Sequence, residues 1–121
     1  MITQTYTLLN NILLPASGTV YSIPIPLGAM EGSCSLFIRS NYASTSGTIS
    51  IVFELSNDNI NWAQEATLSD LLSSFTKTSG PASDGKIFIP FTVTVASWLR
   101  IKFTETGAAN PAQITAVLGV V

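Results

Sequence analysis

The sequence contains no histidine and one cysteine, Cys34, so several kinds of chemistry are excluded at the outset. Histidine is the usual general base near neutral pH, the partner of the nucleophilic serine in hydrolase triads and a common zinc ligand. A single cysteine without histidine is a poor nucleophile and cannot form an intrachain disulfide. Because Cys34 lies in an alternating apolar stretch, we interpret it as a small buried side chain.

Charged side chains are also scarce. They make up 10% of the 121 residues, with a net charge of −2, whereas a typical soluble domain has about 25%. The five Lys and Arg residues form no basic stripe, so we expect no binding to nucleic acid and no attraction to a membrane surface. Few charges protect poorly against association. We therefore expect much of the surface to face another protein; the alternative is an extracellular β-domain with a Ser/Thr-rich coat.

The chain has neither a long apolar run nor a targeting segment. No run reaches the roughly 18 residues of a membrane helix. The N-terminal stretch MITQTYTLLNNILLP has no basic region and no convincing cleavage site, so we expect no signal peptide and synthesis in a cytoplasm. Since no repeat, linker or composition break divides the chain, we predict one domain over residues 1–121.

What the sequence does contain is alternation with a period of two, which predicts strands. It is clearest in Thr48–Ser56 (TISIVFELS) and Trp98–Thr104 (WLRIKFT). Pro90 lies within a third strand, Gly85–Phe91, and predicts that this strand is at a sheet edge, bulged or ending there. Further strands are predicted at Thr3–Leu9, Val20–Ile25, Cys34–Arg39 and Gln113–Val121.

One segment, Ala66–Phe75, departs from this alternation. Its Leu68, Leu71, Leu72 and Phe75 have helical spacing, so we predict one short helical turn there. The rest of the chain reads as about eight short strands separated by turns that contain Gly and Pro, which predicts an all-β protein. We expect an antiparallel β-sandwich, specifically an eight-stranded jelly roll. The alternative is an immunoglobulin-like sandwich, although the cysteine pair of antibody-type domains is missing.

The stretch Glu54–Trp62 (ELSNDNINW) is the one candidate metal loop. Residues Asn57–Asn61 offer amide oxygens but one carboxylate, with no Gly at the sharp turn and no closing Glu; calcium sites need more. A turn explains the same residues better, because Asn and Asp tolerate left-handed backbone and hydrogen-bond their own main chain. Trp62 would then begin the next strand and cover the end of the core. We predict no metal and no cofactor.

Catalytic carboxylates are equally weakly indicated. A glycosidase needs two carboxyl groups facing each other, and Glu54 and Glu65 would be neighbours if the strands around the turn form a hairpin. Both occupy polar-face positions, so we interpret them as solvated surface residues. The segment Ser79–Gly85 (SGPASDG) matches no phosphate-binding loop. We therefore predict a protein that is not an enzyme and has no catalytic residues.

Trp98 and Trp62 are the candidate residues for contact with a ligand or a partner. Trp98 alternates with Arg100 and Lys102, so its ring should be partly exposed, and a flat ring beside polar groups suits a carbohydrate. The preferred alternative is that Trp98 packs against the second sheet or a neighbouring subunit. The other aromatic residues of a candidate stacking platform are Tyr6, Tyr21 and Tyr42.

Two segments together resemble a known β-sandwich pattern. A strand ending in FELSNDNINW is followed, after a long connection, by the strand SWLRIKFT with basic residues on one face. This is similar to an S-x-D-G-x-x-W turn followed by an aromatic-hydrophobic-Arg strand, which occurs in discoidin-like modules and in small structural proteins of tailed bacteriophages. The resemblance covers roughly Gly47–Thr106, and Asn59 stands where the pattern usually has Gly.

The resemblance implies a virion structural protein of a tailed phage, in particular a capsid decoration or cement protein made in the host cytoplasm and located in the virion. The implied partners are capsid or tail proteins and further copies of the chain, with a trimer as the favoured oligomer. The alternative function is a carbohydrate-binding or adhesion module on a virion or cell surface that uses Trp62 or Trp98.

Apolar residues on the predicted outer faces would supply the contacts with neighbours. These are Val52, Phe37 and Trp98. The terminal segments Met1–Pro15 and Pro111–Val121 are also apolar for free tails, so we expect them to pack on a neighbouring protein.

Overall fold

The computed structural model describes residues 4–28, 31–42, 47–65, 70–93, 95–107 and 110–121. In these residues all regular secondary structure is β-strand, and no helix there is long and apolar enough to cross a membrane. The strands are β1 (Gln4–Leu14), β2 (Thr19–Tyr21), β3 (Ile25–Pro26), β4 (Ser33–Tyr42), β5 (Ile49–Ser56), β6 (Ala63–Gln64), β7 (Asp70–Phe75), β8 (Lys86–Thr92), β9 (Trp98–Glu105) and β10 (Ala112–Val120).

The strands form two antiparallel sheets. The first sheet has the order β1-β10-β4-β8, and the second has β2-β9-β5-β6, with β3 beside β9 and β7 beside β5. If β2 and β3 are counted as one interrupted strand, and β6 and β7 as another, the eight strands have the orders 1-8-3-6 and 2-7-4-5. The chain is thus one long hairpin, with pairs 1-8, 2-7, 3-6 and 4-5, rolled into two Greek keys. This is a jelly roll, which confirms the predicted fold class.

The core lies between the sheets, on the inner side of each alternating strand. Phe53 of the second sheet stacks on Phe91 of the first, with ring centroids 5.2 Å apart. Burying one such large apolar side chain contributes about 1.5–3 kcal/mol relative to leaving it exposed. The fully buried residues with the largest side chains are Phe53, Phe75, Phe103, Leu14, Ile25, Leu36, Ile38, Ile49, Ile51, Leu99 and Ile101.

The position of Pro90 in the sheet agrees with the sequence pattern. Pro90 lies on β8, at the edge of the first sheet, opposite Ser35 of β4. A residue without an N–H is tolerated at an edge because that side of the strand needs no ladder hydrogen bond. Of the three predicted alternatives for Pro90, the structure shows the edge position.

The predicted helical turn is wrong for residues 70–75, which form β7; residues 66–69 lie outside the described part of the structure. The register explains the error. Ile49 pairs with Phe75 and Ile51 with Leu72, so two steps along β5 match three along β7, and a second shift follows before Asp70. Each bulge adds a residue. The apolar spacing then lengthens from two to a helix-like three.

The apolar terminal segments are strands of this chain's own sheets. β10 is central in the first sheet, and its Ile114 and Leu118 are fully buried. On β1 a register shift places both Leu8 and Leu9 in the core. The expectation that these segments pack on a neighbour is therefore wrong for most of their described apolar residues, which fill the chain's own core, whereas Ile12 and Leu13 are exposed.

The prediction that Val52 is an exposed apolar residue is also wrong. It points to the outer face of β5 but is only 8% exposed. β5 lies inside the second sheet, where Val52 sits between Lys102 of β9 and Asp70 of β7. Position within the sheet, and not alternation alone, therefore decides its burial.

Candidate functional site

The loop from Ser56 to Trp62 is held together by one carboxylate. Oδ1 of Asp58 accepts hydrogen bonds from the backbone N–H of Asn61 at 2.8 Å, from that of Ile60 at 2.9 Å and from the Ser56 hydroxyl at 2.9 Å. Oδ2 accepts one from Nδ2 of Asn61 at 2.7 Å. These hydrogen bonds hold the pKa of Asp58 well below its usual range, and the backbone N–H groups of Asn61 and Ile60 contribute most.

The same loop shows why its residues are polar. Asn59 has a φ of 59°, in the left-handed region, and its N–H donates to the Ser56 hydroxyl at 2.9 Å. The turn interpretation is confirmed, since the carboxylate serves the loop's own main chain. Across the described residues, no three His, Cys, Asp or Glu side chains lie together as a metal site would require.

Trp62 lies on the outer face of the second sheet and is absent from the core cluster, contrary to the expectation that it covers the end of the core. Its ring packs on Arg100, whose guanidinium carbon is 4.6 Å from the Trp62 ring centroid and 4.1 Å from that of Tyr21. We call Tyr21, Arg100 and Trp62 the arginine stack. Its members come from β2, β9 and the segment before β6, so it joins three parts of the sheet.

Glu54 completes this cluster. It lies opposite Arg100 in the sheet register. Its Oε1 accepts hydrogen bonds from Nε of Arg100 at 2.7 Å and contacts Nη2 at 2.7 Å. The residue opposite Glu54 on β6 is Gln64, not Glu65. The cross-strand neighbours of Glu54 are thus Arg100 and Gln64, and neither is the second carboxylate of a glycosidase pair.

Trp98 is half-buried on the outer face of β9, where it lies opposite Pro26 and Ser56. It therefore does not pack against the first sheet, and the open alternatives are a ligand or a neighbouring subunit. Tyr21 is 44% exposed on the same face, and Tyr6 packs against the core. The side chain of Tyr42 lies outside the described part of the structure.

The outer face of the first sheet holds a feature that the sequence analysis missed. A shallow groove of about 370 Å³ is almost entirely apolar. Phe88 borders it and is 69% exposed. The alternation of β8 contained the signal, because Phe88 lies between the inward-facing Ile87 and Ile89 in sequence and therefore points outward. We call this feature the outer groove; its lining residues are Thr5, Ser35, Phe37, Phe88, Val117 and Gly119.

Two further apolar side chains are exposed, one on each of two loops. Val95 is 96% exposed and Ile60 is 78% exposed. Val95 borders a depression of about 330 Å³ that also involves Asp58 and Asn61 of the polar loop. We call Ile60 and Val95 the loop tips.

Cys34 is buried, as predicted, and its thiol donates to the carbonyl of Gly32 at 3.5 Å. Burial raises its pKa to about 11. A thiol in this state is neither a nucleophile nor a metal ligand.

Comparison with known proteins finds likeness of fold. No protein-family model and no curated protein sequence matches the chain. Among solved structures, the PBSX exported protein XepA aligns with 98% of this chain and 37% of its own, at 12% identity and a TM-score of 0.62. A chain in the structure of infectious bursal disease virus, Gx strain, aligns over 97% and 32%, at 8% identity and a TM-score of 0.64.

A third similar structure is the enzymatically active domain of tailspike protein 4 of bacteriophage CBA120. It aligns with 98% of this chain and 18% of its own, at 13% identity and a TM-score of 0.54. This chain thus spans well under half the length of these structures. Identities this low show a shared fold alone, and the same fold carries different functions.

Proposed function

We propose that this chain is a non-enzymatic structural protein of a tailed-phage virion, and in particular a decoration or cement protein of the capsid. The observation that carries the proposal is the exposure of large apolar side chains on two separate surfaces. Phe88 is exposed on the first sheet, and Ile60 and Val95 are exposed at the loop tips. Exposed apolar patches mark interaction sites, and two such surfaces suit a protein with several neighbours.

The charge content supports this proposal. Only 10% of the residues are charged, and contact surfaces between proteins are depleted of charge at their centres. A protein that remained free in solution would need more charges to resist association. The resemblance of the Gly47–Thr106 region to phage structural proteins agrees with this view.

The mechanism would be mechanical. The jelly roll is a rigid support, and its loop tips would insert Ile60 and Val95 into an apolar recess of the shell. Neighbouring shell subunits would then be linked by the area buried, as in other large stable interfaces. The absence of histidine and the pairing of Glu54 with Arg100 support a role without catalysis.

Particle purification tests the proposal. Cells that carry the gene are induced, particles are purified on a density gradient, and an antibody against this chain locates it by immunogold electron microscopy. We expect labelling of particle heads. A protein found solely in the soluble fraction would contradict a virion role, and labelling confined to tails would contradict decoration of the capsid.

Rebinding to particles that lack the protein tests the attachment surface. We expect the double variant Ile60→Ser, Val95→Ser to bind such particles at least about tenfold more weakly than the unmodified chain, since two apolar contacts are lost. Leu13→Ser is the matched control, because Leu13 is also apolar and is 56% exposed on β1. Equal binding by all three proteins would exclude the loop tips.

A second candidate function, carbohydrate binding, is favoured by one observation. On the outer face of the second sheet Trp98 is half-buried and Tyr21, which lies opposite Lys102, is 44% exposed. Arg100 covers one face of the Trp62 ring and one face of the Tyr21 ring, so Trp98 is the stronger candidate. A glycan array tests this function, and equal binding by the unmodified chain and a folded Trp98→Ala variant would remove Trp98 from it.

A further inference from the structure

The outer groove lies beside a ridge of large side chains. Val117 of β10, Phe37 of β4 and Phe88 of β8 lie opposite one another across the first sheet. The rings of Phe37 and Phe88 are 5.3 Å apart and tilted by 51°. This row raises an apolar ridge that crosses three strands.

The next outward-facing row makes a trough. Gly119, Ser35 and Thr5 lie opposite one another there, with Pro90 at the edge beyond Ser35. Their side chains are small, so the sheet surface is low along this row. Ridge and trough therefore belong to a single face, and beyond the trough Ser33 and Thr92 form a further row of small, exposed side chains.

Charges stand near opposite ends of this face. Arg39 and Lys86 lie opposite each other on β4 and β8, and within the described residues neither forms an ion pair. Like charges in this arrangement repel each other. Glu31 is exposed and precedes the other end of β4. It lies two residues before Ser33, the first residue of β4, and Ser33 and Arg39 are about 20 Å apart at strand spacing.

We propose that this face binds a second copy of the chain, with a two-fold axis that crosses β4 near Ser35. Ser35 is midway between residues 31 and 39, so this rotation places Arg39 of each copy beside Glu31 of the other. The troughs of the two copies then face each other, and the ridge of each copy lies over the small, exposed Ser33 and Thr92 side chains of its partner. One self-complementary patch produces a closed pair, so this contact makes a dimer and not the trimer that the phage resemblance implies.

The area of the face indicates how tight the pair is. Four strands about 4.8 Å apart, with the roughly 30 Å length of β10, cover about 570 Å², or about 1,100 Å² for both copies. This is at the lower end for specific interfaces. We therefore expect a reversible monomer–dimer equilibrium with a Kd in the micromolar range.

Sedimentation equilibrium of the isolated protein, from about 1 to about 500 μM, tests the pairing. We expect dimers whose Kd rises at least about tenfold in Phe88→Ser, because each copy loses a buried ring. Val95→Ser is the control and should leave the Kd unchanged, since the loop tips lie outside this face. Circular dichroism verifies that each variant is folded.

A charge exchange tests the orientation. Glu31→Lys and Arg39→Glu should each weaken the dimer, because each variant places like charges together at both ends of the pair. An equimolar mixture of the two variants should recover dimers, since both ends of the mixed pair then join opposite charges. Residues 31 and 39 are too far apart to pair with each other within one chain, so dimers can be recovered only by pairing between the two variants.

Each other outcome overturns the proposal. A protein that stays monomeric at all concentrations excludes the pairing, and a trimer excludes the two-fold axis. A dimer that persists in Phe88→Ser uses another surface, and a mixture that does not recover excludes this orientation. The measurements need no particles, so they succeed or fail independently of the proposed virion function.

Discussion

Replacing Arg100 with alanine should destabilise the protein by roughly 2–3 kcal/mol. The ion pair with Glu54 has a separation of 2.7 Å, and the two side chains are 24% and 12% exposed. Partly buried hydrogen bonds between charged groups contribute about 1–2 kcal/mol. The contacts of Arg100 with Tyr21 and Trp62 add about 0.5–1 kcal/mol each. The sum is reduced a little because these contributions are not independent.

The comparison with lysine isolates the shape of the side chain. Arg100→Lys keeps the charge but loses the planar group that lies between the two rings. We expect it to lose about half as much stability as Arg100→Ala. Lys102→Ala is the matched control, because Lys102 is on the same face of the same strand and its Nζ is 6.0 Å from the Tyr21 ring. It should change stability by less than about 0.5 kcal/mol.

Urea unfolding followed by circular dichroism measures these differences, and calorimetry should show a fall in Tm of about 6–12 °C for Arg100→Ala. Fluorescence should also change in the native state, since the indole of Trp62 loses its cation. If Arg100→Ala and Lys102→Ala had equal, small effects, the arginine stack would not hold the outer face together.

Three further predictions concern single buried or hydrogen-bonded groups. Asp58→Asn should destabilise the fold at pH 7, and this loss of stability should become progressively smaller below about pH 4. The reason is that a carboxyl whose pKa is depressed in the folded state stabilises the fold above its unfolded pKa and loses that contribution as the pH falls. Urea unfolding of both proteins at pH 7 and below about pH 4 measures the difference, and a difference that stays constant would contradict the prediction. Cys34, whose pKa is raised to about 11, should not react with Ellman's reagent at pH 8 in the folded protein and should react fully in urea; rapid labelling of the folded chain would refute its burial. Glu105 is 1% exposed, and its Oε2 accepts a hydrogen bond from the N–H of Thr48 at 2.9 Å. Glu105→Ala should therefore lower the free energy of unfolding by at least about 2 kcal/mol, as measured by thermal unfolding; a change below about 0.5 kcal/mol would show that the carboxylate is dispensable.

Much of the fold was predictable from the alternation of apolar residues, because burial between two sheets imposes a period of two on each strand. β5 and β9 were found almost to the residue for this reason. The helical turn predicted in place of β7 has one physical cause. The bulges in β7 add residues to the strand, and the pairing partner that reveals them is distant in sequence.

The candidate site likewise has one part that the sequence predicts and another that it does not. The loop around Asp58 was interpretable from Asn57–Asn61 alone, since its hydrogen bonds join residues two or three apart. The arginine stack was not, because Tyr21, Trp62 and Arg100 are brought together only by strand order. The ridge of Phe37 and Phe88 depends on the register of β4 and β8 in the same manner.

By itself, then, the sequence determined which residues are buried in most strands, the polar turn after β5, the inert thiol of Cys34 and the lack of histidine-based chemistry. These follow from local spacing and composition. The tertiary structure alone decided which side chains share an outer face, where Ile60 and Val95 reach solvent, and which cation lies between two rings. Those properties depend on strand pairing over long separations, which no local pattern encodes.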